Sequence, residues 1–195
     1  MILGITGGTG CGKTTLLRCI AQLGGMVLDC DAIYHCLLAT DAHLLAQIEN
    51  RFPGVVVDKK LDRKVLGEIV FSDPNALQDL NTITHSAVKE EVLRRLEAQP
   101  ILAAIDAIGL FESHLDDLCD VTVAVTAPRE DRIARLMARD GISREYAQKR
   151  IDAQHDGQWY QQRCSYTLEN NTTEDAFHEK CLAFFRDLGI MKEKM

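Results

Sequence analysis

The sequence predicts an α/β protein built on a parallel, doubly wound sheet of about five strands flanked by helices. Two observations predict it. Short apolar runs of four to six residues recur along the chain and alternate with stretches whose apolar residues follow helical spacing. The first run, "MILGIT", breaks into a glycine-rich turn that leads directly into a helical pattern, the order of a strand-loop-helix unit.

Taken in order, "MILGIT" is an apolar strand buried on both faces. A helix follows from Gly12 to Leu23, with Leu16, Leu17, Ile20 and Leu23 on one stripe and Gly24-Gly25 to stop it. "MVLD" (26–29) is a second buried strand and ends in Asp29-Cys30-Asp31. "ILAAID" (101–106), "VTVAVT" (121–126) and "YTLE" (166–169) complete the set. Ligands of such sheets bind at the carboxyl ends of the strands. The turn after strand one, Asp29 and Asp31 after strand two, and Asp106 after strand three are therefore expected to converge on one crevice.

Two stretches interrupt the alternation. Residues 32–96 hold no sheet strand. Asp73-Pro74 there reads as a helix cap with proline at the first helical position, followed by Leu77, Leu80, Ile83, Ala87 and Val88 on one stripe. This region is expected to be a mostly helical insertion. Residues 129–163 read as two helical segments separated by "DGIS", rich in arginine: Arg129, Arg132, Arg135, Arg139, Arg144, Arg150 and Arg163.

Composition narrows the class. The length of 195 residues suits one domain with small insertions, and an apolar share of 46% is ordinary for a globular chain. A net charge of -7 argues against binding nucleic acid or an anionic membrane, so an anionic ligand needs a local basic cluster. Seven cysteines, an odd number without a Cys-x-x-Cys pair, argue against zinc or a disulfide framework and for a reducing compartment. The start lacks the pattern of a signal peptide, and no apolar run reaches the roughly eighteen residues of a membrane span. A cytoplasmic protein with no obligate protein partner is the expectation.

The turn itself is "GITGGTGCGKTT" (4–15), which contains Gly7-x-x-x-x-Gly12-Lys13-Thr14. Its glycines let the backbone wrap phosphate oxygens, and the helix behind it offers free N–H groups and a positive dipole end. Lys13 suits the β and γ phosphates, and the Thr14 hydroxyl suits Mg²⁺. A switch GTPase, a regulatory ATPase and a small-molecule kinase all use such a loop. The guanine-reading Asn-Lys-x-Asp is absent, and Asp106-Ala-Ile-Gly109 matches the GTPase Asp-x-x-Gly at two positions only. "LAAID" is not followed at once by an ATPase glutamate, although Glu112 is near. A kinase acting on an alcohol needs a carboxylate base, arginines that close over the nucleotide, and an acceptor pocket. Asp31, the arginine-rich stretch and the helical insertion offer these three.

The ordered set of the loop, "VLDCDAI" (27–33), "LDRKVLGEIVFSDPNALQDLNTITHSAV" (61–88), "GLFE" (109–112) and "RIARLMARDGISREYAQKRIDAQ" (132–154) resembles the dephospho-CoA kinase family over nearly the whole chain. The resemblance implies a P-loop, nucleoside-kinase-like domain spanning 1–195, with an acceptor subdomain at 32–96 and an arginine-rich lid at 129–163. It implies transfer of the ATP γ-phosphoryl group to the ribose 3′-hydroxyl of dephospho-CoA, with ATP and Mg²⁺ required. A nucleoside-monophosphate-type kinase with another acceptor is the alternative, and a nucleotide-dependent switch protein the rival from another class.

Residue by residue, the resemblance implies that Asp31 is the general base. A helix cap is the plain structural role open to that aspartate. Asp29 would orient Asp31 or support the waters of Mg²⁺. Gly8, Gly10, Cys11, Gly12, Lys13, Thr14 and Thr15 form the nucleotide segment, with Thr14 toward the metal and Cys11 where serine is common. Only the backbone N–H of Cys11 is needed there, so little effect on binding is expected, and a thiol at a helix amino end is open to oxidation where its pKa is low. Arg139 is implied first for the phosphates, with Arg135 and Arg150 behind it. Ile133, Leu136 and Met137 take the opposite face of that helix. Asn170 falls near the adenine, with Glu169 replacing the usual aspartate. Leu66, Phe71 and His85 fall in the acceptor subdomain, with Ser86 where proline is frequent. Residues 155–168 depart from the family pattern, and Trp159 and Tyr160 have no role in it.

Overall fold

The computed structural model of the chain describes residues 1–191. In chain order the elements are β1 (Ile2–Thr6), α1 (Lys13–Gln22), β2 (Met26–Asp29), α2 (Cys30–Thr40), α3 (Ala42–Arg51), β3 (Val56–Val57), β4 (Lys60–Leu61), α4 (Arg63–Ser72) and α5 (Pro74–Leu96). They continue with β5 (Ala103–Asp106), β6 (Val121–Thr126), α6 (Arg129–Asp140), α7 (Arg144–Asp152), α8 (Gly157–Arg163), β7 (Tyr166–Glu169) and α9 (Glu174–Asp187). Two compact units emerge: Met1–Val27 together with the chain from Pro100, and Leu28–Gln99.

The first unit carries the sheet. Its strand order is β2-β5-β1-β6-β7, and all five sequence runs form strands. Parallel pairing sets Ile5 beside Asp106 and Thr126 beside Glu169. The carboxyl ends of β1, β5, β6 and β7 thus share one edge, which is why the loop after β1, Asp106 and Asn170 meet. Behind the sheet, Leu3, Ile5, Leu16, Ile20, Val123 and Val125 pack with Phe177, Phe184 and Phe185 of α9. Burying a side chain of this size contributes about 1.5–3 kcal/mol, so this core keeps β1 and α1 in place under the loop.

Helix α1 stops as the glycines foretell: Gly24 has φ +79° and the N–H of Gly25 donates to the carbonyl of Ile20. The arginine-rich stretch differs from expectation by holding three helices rather than two. The third, α8, is capped by Asp156, whose carboxylate accepts from the Trp159 N–H at 2.8 Å. Ile133 and Leu136 are buried with Ala147 and Ile151, whereas Met137 is 38% exposed and lies off that apolar face.

The second unit is mainly helical. Asp73 caps α5 through the Asn75 N–H at 2.9 Å, with Pro74 at the first helical position. The interior joins Leu38, Leu44, Ile48, Leu66, Val70 and Leu80. A two-stranded antiparallel sheet, β3-β4, also forms here. Two-residue strands are too short for periodicity to reveal. The turn at Asp58 and Lys59 places both in the left-handed region, where a hairpin's twist is matched.

Candidate active site

Gly7, Gly10 and Gly12 have φ values of +134°, +79° and +95°, a conformation that side-chain-bearing residues rarely adopt. A Cβ on Gly7 would overlap the Val125 carbonyl, and one on Gly12 would overlap the Asn170 amide. The loop is therefore pinned between β6 and the residue after β7. Gly12 precedes α1 with no side-chain cap, so the first N–H groups of the helix remain for an anion. Lys13 Nζ donates to the Gly7 carbonyl at 3.0 Å and lies 3.8 Å from Asp106 Oδ1. The ammonium is thus folded over the loop beside the carboxylate at the end of β5. Thr14 is exposed and Thr15 is buried.

The basic residues nearest the loop are not the ones expected first. Arg135 Nη1 donates to the carbonyls of Gly10 and Cys11 at 3.2 and 3.4 Å, and its Nη2 donates to the backbone and side-chain oxygens of Asn170 at 3.3 Å each. Asn170 is 6% exposed and its Nδ2 donates to the Cys11 carbonyl at 2.9 Å. Arg132, one turn before Arg135, is buried at 6% exposure, and its Nε donates to the Thr9 carbonyl at 2.9 Å. Arg139 and Arg150 instead share Asp140, at 2.7 and 2.6 Å. The Arg139 guanidinium, then the Arg150 guanidinium, hold the Asp140 carboxyl at about 2.

The low-pKa thiol that a helix amino end allows is not realised at Cys11. This residue is 3% exposed, and burial pushes its pKa up despite the lowering effect of Arg132, Lys13 and Arg135. A helix amino end lowers a thiol pKa only where the charged form is solvated.

In the helical unit, Asp29 rather than Asp31 is the helix cap: its carboxylate accepts from the Ala32 N–H at 2.9 Å. Asp31 is exposed in the first turn of α2. Leu66 belongs to that unit's core at 4% exposure, whereas Phe71, on the same helix, is 85% exposed. His85 is half-buried on α5.

A cleft of about 330 Å³ in the sheet-bearing unit is lined by Gly109, Glu112, Gln154, His155 and Tyr160 among others. His155 Nε2 lies 3.0 Å from Glu112 Oε1, and the His155 ring stacks on Trp159 at 3.7 Å between centroids. Arg163 covers the Trp159 ring at 4.0 Å. The segment that departs from the family pattern is thus folded around the only tryptophan of the chain. Sequence reasoning missed Arg132 and Gln154 as loop contacts. The signal for Arg132 was its three-residue step to Arg135, which also suits a solvated face, and Gln154 carried no local signal of its own.

Chemically, the loop offers backbone donors and an ammonium to an anion, beside a carboxylate, and two guanidinium groups are bound to the loop's own carbonyls. Among the described residues no group of three or more His, Cys, Asp or Glu side chains could hold a metal ion. Magnesium arriving with a triphosphate needs only one or two protein oxygens, so the exposed Thr14 hydroxyl fits it. No helix among the described residues is long and apolar enough to cross a membrane.

Comparison with known proteins completes the picture. The dephospho-CoA kinase family model matches residues 1–175. The dephospho-CoA kinase of Latilactobacillus sakei is 36% identical over 178 residues, 89% of this chain and 88% of that one. A crystal structure of a Thermus thermophilus protein superposes with a TM-score of 0.81 at 32% identity, covering 96% of this chain and 97% of the other. The dephospho-CoA kinase from Campylobacter jejuni superposes with a TM-score of 0.68 at 26% identity, covering 97% and 98%.

Proposed function

This chain belongs to the dephospho-CoA kinase family, and from that premise we propose how its own residues carry the reaction. The enzyme transfers the γ-phosphoryl group of ATP to the ribose 3′-hydroxyl of dephospho-CoA, giving coenzyme A and ADP. The observation that carries this reading is the match over residues 1–175, which spans the Asp29–Asp31 step, the helical unit and the arginine helices as well as the loop. A nucleoside-monophosphate acceptor is not favoured.

In this reading the loop amides and Lys13 hold the β and γ phosphates of ATP, and Arg135 neutralises charge that builds in transfer. Arg139 and Arg150 join them by leaving Asp140, which an incoming phosphate can outcompete for a planar guanidinium. Asp31 accepts the 3′-hydroxyl proton as that oxygen bonds to the phosphorus and the bond to ADP breaks. The exposure of Asp31, freed from capping by Asp29, supports this role. Thr14 would hold Mg²⁺, which when bound offsets phosphate charge. Phe71 and His85 contact dephospho-CoA, with Leu66 shaping their support. The adenine of ATP lies toward Asn170, and the enzyme works in the cytoplasm.

The test is ADP release with a panel of acceptors: dephospho-CoA, nucleoside monophosphates, shikimate and gluconate. Turnover is expected with dephospho-CoA alone. Asp31→Asn is expected to lower kcat about a hundredfold or more while ADP affinity stays within about twofold. Full activity in that variant, or turnover with another acceptor only, overturns the assignment.

A further inference from the structure

Thr9 lies within the phosphate loop, and both of its backbone polar groups are taken by side chains from the arginine-rich stretch, one on α6 and one just past α7. Its N–H donates to Gln154 Oε1 at 2.8 Å, and its carbonyl accepts from Arg132 Nε at 2.9 Å. Arg132 Nη2 reaches the same Gln154 oxygen at 3.5 Å, so the three groups close a ring. Loop shape is therefore set from α6 and from the end of α7, not by the loop's own turns alone.

The charge of Arg132 has an unusual setting. The guanidinium is buried, and its hydrogen bonds go to neutral oxygens. Asp152 feels its field, but that carboxylate is already held at both oxygens by Arg129, at 2.6 and 3.0 Å. A buried cation held by dipoles alone is costly, and an arriving anion relieves the cost. Gly8 shows where the cation sits. Its φ is outside the left-handed region, yet a Cβ there would overlap Arg132 Nη2. Gly8 is glycine to admit the guanidinium against the loop.

We propose that Arg132 and Gln154 are positioning residues for the nucleotide, fixing Thr9 from both sides while Arg132 places a buried positive charge behind Gly8 that strengthens the loop's hold on the phosphates of ATP and ADP. The inference rests on the loop being the nucleotide site. Arg132→Gln keeps an N–H donor for Thr9 and removes the charge. Gln154→Ala removes the acceptor for the Thr9 N–H and keeps the charge.

Calorimetric titration with ADP separates the outcomes, with Lys13→Ala as the reference for loop damage. In Arg132→Gln the ADP Kd is expected to rise about tenfold, or about 1.4 kcal/mol. The ATP KM rises in step, the dephospho-CoA KM is unchanged, and the melting temperature of the nucleotide-free protein does not fall. Arg132→Lys recovers most of the affinity. Gln154→Ala raises the ADP Kd by about threefold with the wild-type salt dependence, whereas Arg132→Gln has a shallower one. If Lys13→Ala loses ADP binding while Arg132→Gln and Gln154→Ala bind like wild type, the inference is overturned and the loop assignment stands. If Lys13→Ala also binds normally, the loop assignment itself fails. A fall in melting temperature with all kinetic parameters moving together would mark Arg132 as merely structural and overturn the proposal.

Discussion

Asn170→Ala tests whether the residue after β7 braces the phosphate loop. Two of its four hydrogen bonds survive the change: the backbone N–H to the Thr126 carbonyl at 2.7 Å, and the backbone carbonyl accepting from Arg135 at 3.3 Å. Two are lost, from Nδ2 to the Cys11 carbonyl at 2.9 Å and from Arg135 to Oδ1 at 3.3 Å. The first, neutral and short, is worth about 1 kcal/mol, and the second, charged but long, about the same. The amide also fills the space beside Gly12, so a small void adds to the loss. The expected total is about 2–3 kcal/mol, or about 4–12 °C in a chain of this size.

Thermal unfolding followed by tryptophan fluorescence is the assay, because Trp159 is the only tryptophan and lies in the same unit as Asn170. Arg135→Ala provides the second edge of a double-mutant cycle. The two residues share contacts, so a coupling of about 1 kcal/mol is expected. A shift below about 1 °C, or strictly additive losses, would refute the brace.

Three other outcomes follow from the geometry. Arg94 and Arg95, by hydrogen bonds to Glu91 at 2.7–2.8 Å, hold its carboxyl at about 2 rather than near 4.5. A depressed carboxyl stabilises the fold above its unfolded pKa, and the contribution disappears as pH falls from about 4.5 toward 2. Glu91→Gln should flatten the pH dependence of urea unfolding in that window, and an unchanged profile would count against the pairing. Alkylation at neutral pH should modify exposed Cys36 first and spare Cys11 in the folded protein, as read by peptide mass spectrometry. Equal rates at the two thiols would contradict the burial that raises the Cys11 pKa. Leu66→Ala should cost about 2–5 kcal/mol in urea unfolding, since it empties a core site. Phe71→Ala, at an 85% exposed site, should cost less than about 0.5 kcal/mol yet raise the dephospho-CoA KM. The reverse order of stabilities would undo the split between support and contact on α4.

The sheet and the loop were legible because each follows from local rules. Apolar runs ending in Asp29 and Asp106, and glycines followed by Lys13-Thr14, state their geometry within a few residues. Helix caps such as Asp73-Pro74 are equally local, and Asp73 caps as its position foretells. The assignment of the capping role between Asp29 and Asp31 was less legible. Either aspartate satisfies the local preference, and only the backbone at Asp29, with φ -78° and ψ 106°, decides which precedes the helix.

The arginines mark the limit of local rules. Arg132, Arg135, Arg139 and Arg150 look alike in sequence, yet Arg132 and Arg135 bind loop carbonyls while Arg139 and Arg150 bind Asp140. Arg132, Arg135 and Arg139 share one face of α6, so what separates them is distance along the helix: the first two lie nearer its amino end, against the loop, whereas Arg139 lies in the last turn beside Asp140. Position along the helix therefore decides which guanidinium reaches the loop, and a distant glycine marks one of them. Gly8 has no backbone requirement for glycine, so its small size points to something occupying the Cβ space. A glycine unexplained by φ is in this fold a signal of a long-range contact.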